Sequence, residues 1–177
     1  MLDKERGRIC RKAFHYIGAD APRQAIGSHM IPGAVLDTNV VLDWFVFGEA
    51  GVAPLAAAIT GGTLRWWSCA PMHEELAHVL RHGAPSRRGI DVEHVLTSTS
   101  ALHARVELAA PLPLHRLRCS DPSDQMFIDL ALQSGAAWLF TRDRALLKLA
   151  RKAAPRGLTI APPERWPATP SGGIDRP

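Results

Sequence analysis

AVLDTN, residues 34–39, is an apolar run that ends abruptly on three polar side chains. Ala34, Val35 and Leu36 show no polar alternation, which suits a strand buried on both faces of a parallel sheet. Asp37, Thr38 and Asn39 then fall at its carboxyl end. AWLFTRD, residues 137–143, repeats the arrangement, with Thr141, Arg142 and Asp143 closing a second apolar run. Ligands of open α/β sheets bind outside the carboxyl ends of the strands. Carboxylates gathered there favour hard divalent cations, and such cations usually act on phosphates.

Outward from these two runs, strands and helices alternate. The pattern predicts a strand over 34–37, a helix over 49–59 closed by Gly61-Gly62, and a strand over 63–68. A helix over 71–80 follows, with Met72, Leu76, Val79 and Leu80 on one face, and another over 91–108. A short strand is expected over 114–117. The next helix opens at Ser120-Asp121-Pro122, with proline in its first turn, and closes at Gly135. A strand over 137–140, a helix over 144–152 and a strand over 158–161 complete the series. Such alternation implies an α/β fold whose parallel sheet is covered by helices on both faces.

The 177 residues, 46% hydrophobic and 21% charged, suit one globular domain with tails. A net charge of +4 and a pI near 9.3 mildly favour a polyanionic partner. Cys10, Cys69 and Cys119 are an odd set without close pairing, which reads as reduced thiols in a cytoplasmic protein. No apolar stretch reaches the roughly 20 residues of a membrane helix, so no membrane partner is expected. The opening MLDKERGRICRKAFHYIG is too polar for a signal peptide. Residues 1–30 end in Gly27-Ser28-His29-Met30, which reads either as a tag remnant or as a leader before a natural start at Met30. They are expected outside the core, with the folded domain over 31–166 and a flexible Pro/Gly-rich tail over 167–177.

Four acids hold the chemical interest: Asp37, Glu75, Asp124 and Asp143. Each has a plainer reading. Asp37 could serve a turn after its strand. Asp121-x-x-Asp124 resembles a capping box, with Asp124 at the third helical position. Asp143 could cap the helix after it, and Glu75 could be a solvated helix residue. Together they weigh more, because unit charges about 4 Å apart repel by several kcal/mol at an effective dielectric near 20. Converging carboxylates would need a cation between them.

The LDTN strand end, the Glu75-Leu-x-x-Val-Leu80 helix, Asp121-Pro-x-Asp124 before Gly135, and Thr141-Arg-Asp143 resemble the PIN domain. Within it they are most similar to bacterial toxin components of toxin–antitoxin pairs of the VapC type. The resemblance runs from Ala34 to Trp166 and implies a three-layer α/β/α fold. It also implies a metal-dependent endoribonuclease in which Asp37, Glu75, Asp124 and Asp143 are catalytic and bind Mg²⁺ or Mn²⁺. Thr38, Asn39 and Thr141 would be supporting polar groups. Gln125 stands where close relatives often carry a second Asp, and Ser120 where a basic residue is common. Glu74 neighbours Glu75, but the spacing to Val79-Leu80 favours Glu75. An antitoxin protein and a homodimer are the partners implied.

RNA must also be held. Arg142, Arg144 and Lys148 flank the acids and could contact phosphates, with Arg65, Arg87 and Arg88 as weaker candidates. Trp66-Trp67 reads as core packing before it reads as a base-stacking platform. Other classes compete less well. A phosphoacceptor receiver domain wants paired acids early and a lysine after a late strand. A haloacid-dehalogenase-type phosphatase wants Asp where Asn39 stands. A PIN-like module that binds RNA or protein without cutting is the alternative from a different class.

Overall fold

Five parallel strands form one sheet in the order β3-β2-β1-β4-β5. The structure is a computed structural model that describes residues 31–108 and 117–167, without the side chains of Arg87 and Arg88. The leader 1–30, most of the strand expected over 114–117 and nearly all of the tail 167–177 lie outside the described residues. The strands are β1 (Gly33–Leu36), β2 (Arg65–Ser68), β3 (His103–Arg105), β4 (Trp138–Phe140) and β5 (Thr159–Ala161). Around them run α1 (Thr38–Leu42), α2 (Ala53–Thr60), α3 (Ala70–His82), α4 (Val92–Leu102), α5 (Gln125–Gln133), α6 (Arg144–Leu147) and α7 (Ala150–Ala153).

The chain leaves β1 toward β2 on one side and later returns to β4 on the other. The topological switch point therefore lies between β1 and β4, where α/β folds place their ligand crevice. Leu36 is in register with Phe140, so the next residues, Asp37 and Thr141, emerge side by side at the carboxyl edge.

Alternation along β1 feeds two cores. Ala34 and Leu36 pack with Val40, Leu55, Ile59, Trp66, Leu76, Leu80, Val95 and Phe140. Val35 packs on the other face with Phe127, Ile128, Leu130, Leu139, Leu146 and Ile160. Helices α1 to α4 thus cover one face, α5 to α7 the other, and the fold is three-layered α/β/α as expected. Among the described residues no single helix is long and apolar enough to cross a membrane. Two apolar segments, Thr38–Phe47 and Ala50–Thr60, would pass together but are bent by 115°, and their Val40, Leu55 and Ile59 lie in the core.

Several expectations shift. A helix, α1, begins directly after Asp37 and runs into a π-helical turn over Asp43–Phe47. The helix expected over 91–108 stops at Leu102, and His103–Arg105 forms the edge strand β3. The helix expected from Ser120 starts at Gln125, and the one expected over 144–152 divides into α6 and α7. Trp66 is buried as expected, whereas Trp67 is only half-buried, with the Arg65 guanidinium 5.4 Å from its ring centroid.

Trp67 lies across the start of β1, which explains Gly33. A Cβ added there would stand 2.4 Å from Trp67 Nε1 and 3.5 Å from Ala136 Cα. The indole is packed against the second core and must move to make room. Gly33→Ala is expected to cost about 1–3 kcal/mol, read as a lower urea midpoint; an unchanged midpoint would show that Trp67 swings away freely.

Candidate active site

Asp37 follows β1 directly and is only 4% exposed. Its backbone N–H donates to Phe140 O at 2.9 Å, which locks β1 to β4 at this edge. Asn39 Nδ2 and Thr141 Oγ1 both donate to Asp37 Oδ2. Burial pushes the Asp37 carboxyl above its ordinary value, and the hydrogen bonds from Thr141 and Asn39 pull it part of the way back. Asn39 Oδ1 in turn accepts from the Arg142 backbone N–H at 3.1 Å, so Asn39 bridges the ends of β1 and β4.

Thr141 has two tasks. While it donates to Asp37, its oxygen accepts the Asp143 N–H at 2.8 Å. Asp143 Oδ1 then accepts from Ala145 N and Leu146 N at 2.6 and 3.2 Å, capping α6. The capping reading of Asp143 therefore holds for one oxygen, and the cap fixes the carboxylate beside the site. Thr141 is fully buried, and Thr141→Val strands the Asp143 N–H and leaves Asp37 Oδ2 with Asn39 as its one side-chain donor among the described residues. A loss of about 1–3 kcal/mol in urea unfolding is expected; a variant as stable as the native chain would remove Thr141 from this bracing role.

Asp124 is not the third residue of a capping box. It occupies the N-cap position of α5, yet its side chain caps nothing. Asp121 Oδ1 instead accepts from Ser123 N and Ser123 Oγ, at 2.9 and 2.7 Å, in a local turn. That turn delays the helix to Gln125 and leaves the Asp124 carboxylate uncommitted. Its pKa is pushed up from 3.8 to about 6, first by burial and then by the charges of Asp37, Asp143, Asp121 and Glu75. Asp124 thus feels all three other predicted acids.

Glu75 joins from the second turn of α3. Burial raises its pKa, the Thr38 hydroxyl pulls it back, and the charges of Asp37 and Asp121 raise it again. Among the described residues its Oε2 is buried without a hydrogen-bond partner, an expensive state for a carboxylate oxygen. The four predicted acids and Thr38, Asn39 and Thr141 therefore share one locality at the switch point.

Two features were not foreseen. Asp121 supplies a fifth carboxylate: it acts on both Asp124 and Glu75, although its sequence setting reads as a cap. Gln125 ties down the preceding loop. It accepts from Cys119 N at 2.9 Å and donates to Leu117 O at 2.8 Å and to Asp129 at 2.9 Å.

The basic candidates differ among themselves. Arg142 Nε donates to Asp43 Oδ2, and Arg142 Nη2 donates to Glu164 Oε1 at 2.6 Å. Arg142 thereby straps the π-helical turn and the C-terminal 3₁₀ turn to the end of β4, and its guanidinium already faces two carboxylates. Arg144 and Lys148 are exposed.

The acids fit a hard divalent cation in kind. All are oxygen donors suited to Mg²⁺ or Mn²⁺, and a cation would relieve both the stranded Glu75 oxygen and the crowding on Asp124. They are not drawn into a finished ligand set: among the described residues, no three of His, Cys, Asp or Glu are arranged to hold an ion as they stand. The proximity seen in mutual charge effects is therefore looser than direct ligation, and one oxygen each of Asp37 and Asp143 is occupied by protein donors.

No curated protein matches the chain. A family model, described as the PIN domain, matches residues 33–145, well over half of the 177 residues. The matched span takes in all four predicted acids and ends just past Asp143, and on that match the chain belongs to the PIN domain family, whose members are generally nucleases.

Proposed function

We propose that the protein is a metal-dependent endoribonuclease and the toxin of a toxin–antitoxin pair. One observation carries the metal-dependent reading: Asp37, Glu75, Asp121 and Asp143 all press on Asp124, whose pKa rises to about 6. A protein gains no stability from holding five carboxylates together, so the cluster suits a cation-assisted reaction. The toxin role is supported by the resemblance of the LDTN, Glu75-Leu and Thr141-Arg-Asp143 motifs. The same resemblance extends the proposal to an antitoxin that covers the acidic edge and to a homodimer.

Asp37, Glu75, Asp124 and Asp143 would hold Mg²⁺ or Mn²⁺. The bound ion would lower the pKa of a water and offset charge on a phosphodiester. The chain's own residues do the positioning. Thr141 and Asn39 fix Asp37 Oδ2, and the α6 N–H groups fix Asp143. Thr38 steadies Glu75, and Asp124, whose side chain makes no cap bond to α5, would meet the ion. Arg144 and Lys148 would contact RNA phosphates beside the acids. No side-chain nucleophile is required.

The test is cleavage of a fluorogenic single-stranded RNA in Mg²⁺, in Mn²⁺ and in EDTA. Cutting with either ion and none in EDTA is the expected result. RNA binding without cutting under all three conditions would replace the nuclease with a PIN-like binding module.

A further inference from the structure

On the other flank of α3 from Glu75, His73 faces a pocket of about 160 Å³ lined by His73, Ser100, His103 and Arg105. Residues 73 and 75 lie about 200° apart around a helix axis, so their side chains leave opposite sides. Arg105 is the last residue of β3 and is in register with Ser68, the last of β2. It stands at the same carboxyl edge of the sheet as Asp37.

Among the described residues the lining has no carboxylate. It offers a guanidinium, a hydroxyl and two imidazoles, all able to donate. Arg105 is exposed and forms no ion pair among the described residues. The His103 ring is held edge-on against Trp66, with centroids 5.2 Å apart and planes at 66°, and His73 lies 6.3 Å from it. The two imidazoles are thus packed against the fold before any ligand arrives, which lowers their ordering cost on binding. Burial makes protonation of His103 unfavourable, against the pull of its hydrogen bond with the Thr99 backbone. An anion would offset the Arg105 charge at the mouth of the pocket.

We infer that this pocket is an anion subsite that takes a backbone phosphate of the nucleic acid, distinct from the phosphate that is cut. A phosphodiester presents acceptors only, and each side chain of the lining can turn a donor toward it. A metal ion is disfavoured there by Arg105. The inference rests on the ribonuclease reading, and its site lies apart from the acids, so the two can fail separately.

The experiment follows the imidazole signals of the ¹⁵N-labelled full chain in EDTA. Inorganic phosphate is added first, then a single-stranded RNA oligonucleotide, which the proposed metal-dependent reaction leaves intact while EDTA holds the metal. The His73 and His103 signals are expected to shift with both probes. Arg105→Ala is expected to abolish the phosphate response and weaken oligonucleotide binding about fivefold. It should also lower the slope of log K against log salt by about 0.7. Ser100→Ala, also at an exposed position, gives a smaller loss and guards against misfolding of the first variant. Unmoved imidazoles, or an unchanged salt slope in both variants, would overturn the subsite. Shifted imidazoles in a protein that cuts no RNA would keep the subsite and reject the nuclease. Cutting with unmoved imidazoles would do the reverse.

Discussion

Asp37→Asn is expected to lower metal-dependent RNA cleavage by about 10³-fold or more while melting no earlier than the native chain. The two halves of this result have one cause. Asp37 is buried, and burial raises its pKa against the pull of Thr141 and Asn39. A carboxyl whose folded pKa is raised contributes stability below its unfolded pKa and loses it as pH rises through the folded value. An ionised Asp37 is therefore disfavoured by the fold. Asparagine keeps the shape and an oxygen for the Thr141 and Asn39 donors, but removes that charge and with it the attraction for a cation. Loss of a group that stabilises the transition state through charge commonly costs 10²–10³-fold or more. Cleavage assays beside thermal melts decide the matter: a stable Asp37→Asn protein that still cuts at the native rate would reject the site, and an unfolded one would show that Asp37 is structural.

Strand ends were legible because a buried parallel strand is an uninterrupted apolar run, and Asp37 and Thr141 interrupt two such runs sharply. The sheet order was not legible. Residue patterns mark strands but not their neighbours, and only the register Leu36↔Phe140 brings Asp37 beside Thr141. Helix α1 was hidden because Thr38, Val40 and Val41 are β-branched and Asp-Thr-Asn favours a turn. Burial of Val40, Val41 and Leu42 in the core overrides that preference. Strand β3 was hidden by the helical pattern of α4, which continues in sequence past the point where the backbone extends. The capping-box reading of Asp121 and Asp124 failed through competition with a closer partner: Ser123 captures Asp121, the helix starts late, and Asp124 is left for the site.

Pairings over long sequence separations were beyond any local reading. Arg142 stands 99 residues from Asp43 and 22 from Glu164, and nothing in Thr141-Arg-Asp143 announces either partner. The arrangement has a functional consequence. With its side chain braced between Asp43 and Glu164, the Arg142 backbone N–H is held where Asn39 can accept it, and Asn39 can then donate to Asp37. The site is supported by a chain of donors that begins outside it, as metal and catalytic carboxylates generally require.

Asp124→Asn is expected to raise the melting temperature of the metal-free protein at pH 7.5 and to abolish the stabilisation that Mg²⁺ gives the native chain. The Asp124 pKa lies at about 6 in the fold against an ordinary 3.8. The raised value means that the native protein, freed of metal, loses stability as pH climbs from about 4 through about 6. Asp37 and Glu75 are shifted in the same direction and add to the trend. Above pH 6, Asp124 is charged against four other carboxylates, and asparagine removes that repulsion. The position is partly exposed, so screening by water holds the gain to about 1 kcal/mol or less. Mg²⁺ acts with the opposite sign on the native chain. At a free concentration of 100 times its dissociation constant it adds about 2.7 kcal/mol, worth roughly 5–10 °C in a domain of this size. Because the ion must displace the Asp124 proton, its affinity is expected to fall about tenfold per pH unit below pH 6. Thermal melts across pH 5–8, with EDTA and with Mg²⁺, read all of these effects at once. If the native and Asp124→Asn proteins gained equally from Mg²⁺ at pH 7.5, Asp124 would not be a ligand, and its raised pKa would mark only crowding among acids that serve some other end.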